Sequence, residues 1–199
     1  PILNAGGRLG KSNYASELLS SDDTHLINIK SKKLIELNNK RKEIETLIID
    51  EIDFKKIENE NTDVIIYYSP SINEGLIGII AARLKDYFNK PAIVITKSNE
   101  LLKGSARSTV NYDIGRTIKN SFDKNIIIAG GGHKAAAGFT LKKKNLKNFE
   151  EFILKDFLSK NSLNTKLFLY DAEITILAFN QDFYNEIKKL EPFGTDNHI

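Results

Sequence analysis

The chain has 199 residues, of which 41% are hydrophobic and 28% charged, and its formal net charge is +3. These values are typical of a soluble globular protein with one large domain or two small ones. The lack of cysteine excludes disulfides and thiolate metal sites, and no apolar run approaches the roughly 18 residues that cross a bilayer. We therefore expect a cytoplasmic protein with no membrane partner. Because the chain begins at Pro1 and contains no methionine, we also expect an interior piece of a longer protein.

The first fifty residues predict a turn-rich start followed by helices. Residues 1–10 (PILNAGGRLG) are rich in glycine, and residues 12–21 (SNYASELLSS) predict a short helix capped by Ser12. Between residues 22 and 51, apolar side chains recur at helical spacing, which predicts one long helix. Its strongly charged surface fits a solvated amphipathic helix and a connector between domains equally well.

After a polar break at 59–63, strand-like runs alternate with helical patterns. The predicted strands are 64–68, 92–96, 101–110, 125–129 and 135–141, and the predicted helices are 74–88, 112–122 and 145–160. This alternation predicts an α/β domain of roughly a hundred residues. A further strand at 166–177 and a helix at 182–190 indicate the start of another domain.

The stretch IIIAGGGHKAAAGF (126–139) is unusually small and flexible around one histidine. Glycines after a strand let backbone N–H groups face an anion, and His133 and Lys134 add donors or charge. A tight turn with a surface histidine is the alternative, and the stretch taken alone favours it. The stretch is neither a dinucleotide fingerprint nor a P-loop.

A second candidate site is KGSARS (103–108), where we expect Gly104 to interrupt a strand. Because side chains alternate along a strand, Ser105 and Arg107 share one face, and Ser108 follows them. A hydroxyl beside a guanidinium is a good clamp for phosphate. A polar, solvent-facing strand edge is the open alternative.

A third candidate is Arg8 in LNAGGRLG (3–10), a glycine-rich turn before a helix that could bind an anion or be an ordinary loop. The histidines, His25, His133 and His198, are not clustered in the sequence. The sequence therefore predicts a site for a phosphate-rich ligand without a complete catalytic centre.

Three motifs, in the order LNAGGRLG, EGLIGIIAARL with KGSARS, and GGGHKAAAGF, resemble one family. They are similar to the RecJ family of single-stranded-DNA-specific exonucleases, in the DHH phosphoesterase superfamily, and the resemblance covers nearly the whole chain. It implies the tail of a catalytic DHH domain at 1–21 and a connector helix at 22–61. It further implies a mixed-sheet DHH-associated domain at 62–160 and the start of an OB-type β domain at 161–199, within an α/β fold.

The resemblance implies part of a metal-dependent exonuclease that degrades single-stranded DNA from 5′ to 3′, as a monomer, in repair and recombination. Mn²⁺ or Mg²⁺ would be held by motifs upstream of Pro1, so we expect no metal ligand in this chain and no activity of this piece alone. The resemblance assigns His133 to the cleft as the candidate catalytic residue. The implied substrate-binding residues are Arg8, Ser105, Arg107, Ser108, Gly131, Gly132 and His133.

One departure and three alternatives remain open. Where the family usually shows Trp-His-x-Gly, this chain has Ile72-Asn73-Glu74-Gly75, and Asn73 cannot carry a proton as histidine does. Oligoribonucleases of the same superfamily share the GGH turn but normally lack the connector and the OB-type continuation. A tRNA-binding module like that of alanyl-tRNA synthetases should end near residue 160. A plain α/β interaction domain would show no salt-dependent binding of nucleic acid.

Overall fold

The computed structural model describes residues 1–161, 172–194 and 197, within two compact units, Pro1–Leu163 and Asn164–Ile199. The first unit contains α1 (Ile2–Arg8), α2 (Asn13–Leu19), α3 (Thr24–Glu51), α4 (Phe54–Glu60), β1 (Ile65–Tyr68), α5 (Ile77–Phe88), β2 (Ala92–Ser98), β3 (Leu101–Arg107), α6 (Ile114–Asp123), β4 (Ala129–His133), β5 (Ala136–Leu141) and α7 (Leu146–Asn161). None of the helices in these ranges is long and apolar enough to cross a membrane.

One mixed sheet organises the first unit, in the order β1-β2-β3-β5-β4. β1 and β2 are parallel, as the crossover through α5 requires, and the other neighbouring pairs are antiparallel. Residues 92–96 of β2 are all buried because helices cover both faces of the sheet there. The predicted α/β fold with a mixed sheet is confirmed.

Two hydrophobic clusters lie on opposite faces of this sheet. One joins α5 to β2 through fully buried residues such as Leu76, Ile80 and Leu84. The other joins α6 and α7 to the sheet, with Ile118 and Phe149 buried completely. Each such side chain contributes roughly 1.5–3 kcal/mol by leaving water, so α5 and α6 are held firmly against the strands.

Helix α3 is the long helix that the sequence predicts. Asp23 caps it by accepting hydrogen bonds from the backbone N–H groups of His25 (2.8 Å) and Leu26 (3.3 Å). Its residues Ile44 and Ile48 pack against the cluster beneath α5. The helix is therefore docked on the sheet domain along its second half.

The start of the chain differs from the prediction, because residues 2–8 form helix α1 and are not a turn. Gly6 permits this, since a Cβ there would lie 2.4 Å from the carbonyl oxygen of Lys11. Ser12 precedes α2 but makes no cap hydrogen bond, because its backbone is already helical (φ −66°, ψ −25°). Ser12 therefore occupies the predicted N-cap position without forming the cap hydrogen bond.

The glycine run is itself a strand, which corrects the prediction for residues 125–129. Ile126 and Ile127 are buried in a bend that follows Asn125 (φ 57°), and β4 begins only at Ala129. Gly104 likewise does not interrupt β3, which continues through it. It is glycine because a Cβ there would lie 2.1 Å from the ring of Phe139.

The second unit contains α8 (Gln181–Lys188), which confirms the predicted helix, after a 3₁₀ turn at Ile176–Ala178. Of the strand predicted at 166–177, residues 166–171 lie outside the described residues, and 172–177 are not a strand. The OB-type β domain is not confirmed.

Candidate nucleic-acid interface

Ser105 and Arg107 lie on one face of β3, as the alternation of side chains predicts. The Arg107 Nη1 donates to the Ser105 hydroxyl oxygen at 3.2 Å and to the Ala106 carbonyl oxygen at 2.8 Å. Burial lowers the pKa of the half-buried Arg107 guanidinium, and the positive charge of Arg8 lowers it further. An arginine stays protonated despite such shifts, so the site concentrates positive charge.

The first turn of α5 closes one side of this pair. Gly78 faces it so closely that a Cβ there would lie 3.0 Å from the Arg107 Nη2 and 3.1 Å from the Ser105 Oγ. The helix has no side-chain cap at its N-terminus. Its first N–H groups and its dipole therefore favour an anion beside the guanidinium.

Arg8 is the last residue of helix α1, whereas the sequence predicts it in a turn before a helix. Its Nη1 donates to the Gly75 carbonyl oxygen at 3.4 Å. Gly75 allows this approach, since a Cβ there would lie 2.2 Å from the Arg8 carbonyl oxygen. Arg8 thus reaches the turn before α5 and lines a cleft of about 350 Å³ with Asn73, Glu74 and Lys103.

Asn73 and Glu74 shape that cleft. The Asn73 side-chain oxygen accepts from the Gly75 N–H at 2.8 Å and so fixes the turn. Glu74 accepts from Lys103 (2.9 Å) and from Ser98 (2.8 Å), and these hydrogen bonds, that from Lys103 first, lower its pKa. Sequence reasoning missed Lys103, although alternation along β3 places it on the same face as Ser105.

The glycine strand brings the histidine onto the same open face as the clamp. In the register of the sheet, Ser105 is opposite Gly138, which is opposite Gly131. Directly opposed residues point to the same side of a sheet. A Cβ at Gly131 would meet nothing within 4 Å, and one at Gly138 would meet only a carbonyl oxygen at 3.9 Å. The floor between the two motifs is therefore bare backbone.

The neighbouring row of the sheet runs from Arg107 through Ala136 to His133. Two strand spacings separate the outer members, which is roughly 9.6 Å between their Cα atoms. The His133 Nδ1 accepts from the Ala135 N–H at 3.3 Å, so its Nε2 is the nitrogen left for a ligand. Helix α6 supports this point from behind, because Gly115 packs directly on the His133 backbone.

Two predicted site residues do not face the cleft. Gly132 is opposite Ala137, and a Cβ there would lie 2.2 Å from the Ala136 carbonyl oxygen, so this glycine serves packing on the other side of the sheet. Ser108 is buried, and its hydroxyl donates to the Tyr112 carbonyl oxygen at 2.7 Å. The prediction that Ser108 binds substrate is corrected, because its hydroxyl is committed to this loop.

The loop after β3 is held by a polar network beneath the site. The carboxylate of Asp156 accepts from Thr117 (2.7 Å), Lys160 (2.7 Å) and the Tyr112 hydroxyl (3.0 Å). Burial raises the pKa of Tyr112, so that residue is a donor at neutral pH. From this loop the Ser108 N–H donates to the Ala135 carbonyl oxygen at 2.9 Å, which fixes the turn after His133.

The described residues do not fit a resident metal ion. Nowhere in the ranges 1–161, 172–194 and 197 do three His, Asp or Glu side chains come together as ligands. The arrangement can hold an anion between Arg107, Ser105 and the first turn of α5, and it can receive a flat group over the glycine floor.

Comparison with known proteins gives a consistent picture. Residues 61–159 match the family model of the DHHA1 domain. Over 98% of its length the chain is 29% identical to the single-stranded-DNA-specific exonuclease RecJ of Haemophilus influenzae. Over 99% it is 29% identical to the protein of that name from Bacillus subtilis. The chain spans only 36% and 25% of the lengths of these two relatives.

Solved structures agree on the fold. The chain matches the crystal structure of RecJ in complex with Mg²⁺ from Thermus thermophilus with a TM-score of 0.76 and 23% identity. The match covers 100% of this chain and 31% of that one. The Mn²⁺ complex from the same organism gives a TM-score of 0.77, again at 23% identity.

Proposed function

Because residues 61–159 belong to the DHHA1 domain family, we propose that this chain supplies substrate binding to a RecJ-type exonuclease. The complete protein hydrolyses phosphodiester bonds of single-stranded DNA from 5′ to 3′ in the cytoplasm, as a monomer, during repair and recombination. The observation that carries the proposal is the shared open face of the sheet. Arg107 and His133 lie in one cross-strand row, with Ser105 and Gly131 in the next.

The clamp suits the terminal phosphate of a strand. Arg107 offers its planar guanidinium, Ser105 its hydroxyl, and α5 its first N–H groups, all converging beside Gly78. Arg8 adds a second positive charge from the far wall of the adjoining cleft. Because Arg107 is recessed between α5 and the sheet, a strand end enters more readily than an internal phosphate with a nucleotide on both sides.

The bare floor suits the sugar and backbone that follow. With no Cβ at Gly131 or Gly138, the strand can approach the sheet within hydrogen-bonding distance of its backbone. Because the Nδ1 of His133 accepts from the Ala135 N–H, its Nε2 carries the proton and lies at the far end of the row as a hydrogen-bond donor. Gly132 supports this surface by letting β4 pack closely on β5.

Mg²⁺ or Mn²⁺ would activate water against the phosphodiester, and we propose that residues upstream of Pro1 hold it. The described residues of this chain bind and orient the strand. The 199-residue chain alone is therefore expected to show no nuclease activity. Metal-dependent digestion of single-stranded DNA by the purified chain would refute this division of labour.

The clamp is tested in the full-length protein with 5′-phosphorylated and 5′-hydroxyl oligonucleotides. Wild-type protein is expected to bind the phosphorylated strand more tightly. Arg107→Ala should weaken that binding by about 1–3 kcal/mol, the value of charge-assisted hydrogen bonds, and should remove the preference. Lys55→Ala is the matched control, because Lys55 is an exposed cation on α4, away from the clamp. Unchanged affinity in Arg107→Ala contradicts the proposal.

A further inference from the structure

A groove of about 620 Å³ lies between α6 and β4, outside the clamp and its cleft. β4 is the last strand in the order of the sheet, and all five of its residues are exposed. The groove is lined on the other side by Arg116, Lys119 and Phe122 of α6. None of these three residues has a role in the function proposed above.

The helical wall of the groove is cationic. Arg116 and Lys119 are three residues apart, so they lie on one face of α6, and both are exposed. Within the described ranges, neither makes an ion pair. Asp113, at the same end, is engaged as the helix cap, accepting from the Arg116 N–H at 2.9 Å. Asp123 is the other carboxylate of the groove, and Lys134 adds a third cation.

An aromatic ring stands beside these cations. Phe122 is 47% exposed, although the residues next to it on the inner face of α6, such as Ile118 and Ser121, are buried. Proteins that bind single-stranded nucleic acid combine exposed aromatic rings, on which the bases stack, with cations that neutralise the phosphates. Among the described residues, neither hydrophobic cluster includes Phe122, so core packing does not explain its position.

The opposite wall is the outer edge of β4. Among the described residues no strand pairs with this edge, so alternate N–H and C=O groups of the glycine run face the groove. The three glycines of β4 are exposed and have no side chain to cover these edge groups. A bare strand edge presents donors and acceptors of the kind that the polar edge of a nucleobase requires.

We infer that this groove is a second nucleotide-binding subsite for single-stranded DNA. Arg116 and Lys119 bind phosphates, Phe122 stacks on a base, and the edge of β4 contacts its polar atoms. The inference rests on the proposed function, because the strand reaches the groove after crossing the floor between Ser105 and Gly131. His133 ends the row that begins at Arg107 on the open face, and α6 packs behind its backbone, so the strand passes round the outer edge of β4 to reach the groove.

The test compares 5′-phosphorylated oligothymidylates of about 3 and about 12 nucleotides, bound by full-length protein in EDTA. Arg116→Gln/Lys119→Gln should bind the longer strand at least about tenfold more weakly and the shorter one within about twofold of wild type. Two lost phosphate contacts should reduce the salt slope of the longer strand by about 1.4. The control Lys55→Gln/Lys56→Gln makes the same charge change on α4.

Phe122 is tested separately for stacking. Phe122→Leu should weaken binding of the longer strand by about tenfold, while Phe122→Tyr, which keeps the ring, should match wild type. Thermal unfolding of each variant checks that the fold is retained. Equal binding by the leucine and tyrosine variants would overturn stacking by this side chain.

The outcomes separate this subsite from the clamp. One outcome is that Arg107→Ala binds neither oligonucleotide, while Arg116→Gln/Lys119→Gln has the affinity and salt slope of wild type. That outcome overturns the subsite and supports the clamp. If wild-type protein binds neither strand, the proposed function fails and the subsite with it. If Arg116→Gln/Lys119→Gln binds only the longer oligonucleotide more weakly, the result supports both the subsite and the clamp.

Discussion

At Gly78, a hydrogen in place of a side chain keeps space open beside Arg107 and Ser105. Gly78→Ala should leave the fold intact or stabilise it by up to ~1 kcal/mol, because alanine favours the helical conformation of α5. The added Cβ must push the flexible end of Arg107 aside by a few tenths of an ångström. We therefore expect about tenfold weaker binding of a 5′-phosphorylated strand, on the scale of one charge-assisted hydrogen bond.

Urea unfolding and oligonucleotide binding of the same preparation check this separation of stability from binding. Asn28→Ala is the control, because it also raises helix propensity, at an exposed position of α3 that does not line the cleft. If Gly78→Ala lost stability and affinity together, the prediction that only binding is weakened would be contradicted.

Asp156 gives the network under the loop a defined pH dependence. Burial opposes its charge, but the hydrogen bonds from Lys160, Thr117 and Tyr112 outweigh that effect and lower its pKa below the ordinary 3.8. Its stabilisation is therefore present above pH 3.8 and is lost as the pH falls through the lowered folded-state pKa. Asp156→Asn should destabilise the chain by about 1–2 kcal/mol at pH 7.

The difference in unfolding free energy between wild type and Asp156→Asn should shrink as the pH falls below 3.8. Denaturant unfolding at a series of pH values measures it. A difference that stays constant down to about pH 2 would show that the charge of Asp156 plays no part.

Individual site residues were predictable where a local rule decides their direction. Alternation along a strand is enough to put Ser105 and Arg107 on one face, and it reaches Lys103 as well. The same rule cannot predict that the Ser108 hydroxyl donates a hydrogen bond to the Tyr112 carbonyl oxygen, because that contact depends on the conformation of the loop after β3. Sequence patterns do not identify Gly78 as a site residue, because it matters only as the neighbour of Arg107, which is far away in the sequence.

Among the strands, two glycines at adjacent positions in the sheet have opposite roles. Gly104 faces the ring of Phe139, which cannot retreat because it packs on Phe149 with ring centroids 4.5 Å apart. Gly104→Ala should therefore cost about 1–3 kcal/mol of stability by overpacking. Gly138→Ala adds the same methyl group on the open face, so we expect its cost to be below about 1 kcal/mol.

Thermal and urea unfolding of the two variants make a matched comparison on one sheet. Similar destabilisation by both would mean that the backbone conformation, and not the neighbouring side chain, demands glycine.

Elements built from glycine were the ones that sequence patterns misplaced. Local propensity favours a strand at 125–129 and a turn at the glycines, whereas packing of α6 against Gly130 makes the glycines the strand and the isoleucines the bend. Residues 2–8 form a helix for a similar reason, since Gly6 lets α1 approach Lys11 and Leu34. Tertiary contact outweighs propensity at both places, and no pattern within either segment records it.

Across the first unit, Glu45 joins the long helix to the sheet domain. Its carboxylate is 7% exposed and binds the Arg41 Nη1 (2.5 Å) within α3 and the Arg83 Nε (2.8 Å) on α5. Glu45→Ala should cost about 3–5 kcal/mol, because it leaves Arg41, whose side chain is 11% exposed, with its hydrogen bond to Asn38 but without its carboxylate partner. Arg83→Ala should cost less than about 1 kcal/mol, since Arg83 is 65% exposed.

Equilibrium unfolding of the two variants tests this asymmetry. A cost for Arg83→Ala as large as that for Glu45→Ala would show that the link between α3 and α5, and not the buried pair within α3, carries the stability.

The alternation of strands and helices along the chain predicted the α/β class, and the family resemblance implied the mixed sheet, but neither predicted the order of the strands. β3 pairs with β5, so β4, which precedes β5 in sequence, becomes the edge. That choice depends on the register that sets Gly104 opposite Phe139. It is also what opens the groove beside α6, and no local sequence pattern indicates it.

β5 contributes only Ala136 and Gly138 to the floor between Arg107 and His133, yet it fixes how far apart they are. Hydrogen-bonded strands do not slide or stretch, so any movement that opens or closes the surrounding cleft carries both groups together. The distance between the Cα atoms of Arg107 and His133 is therefore constant. Under the proposed function, a substrate that spans both groups has to match this spacing, so the sheet itself would contribute to discrimination by size.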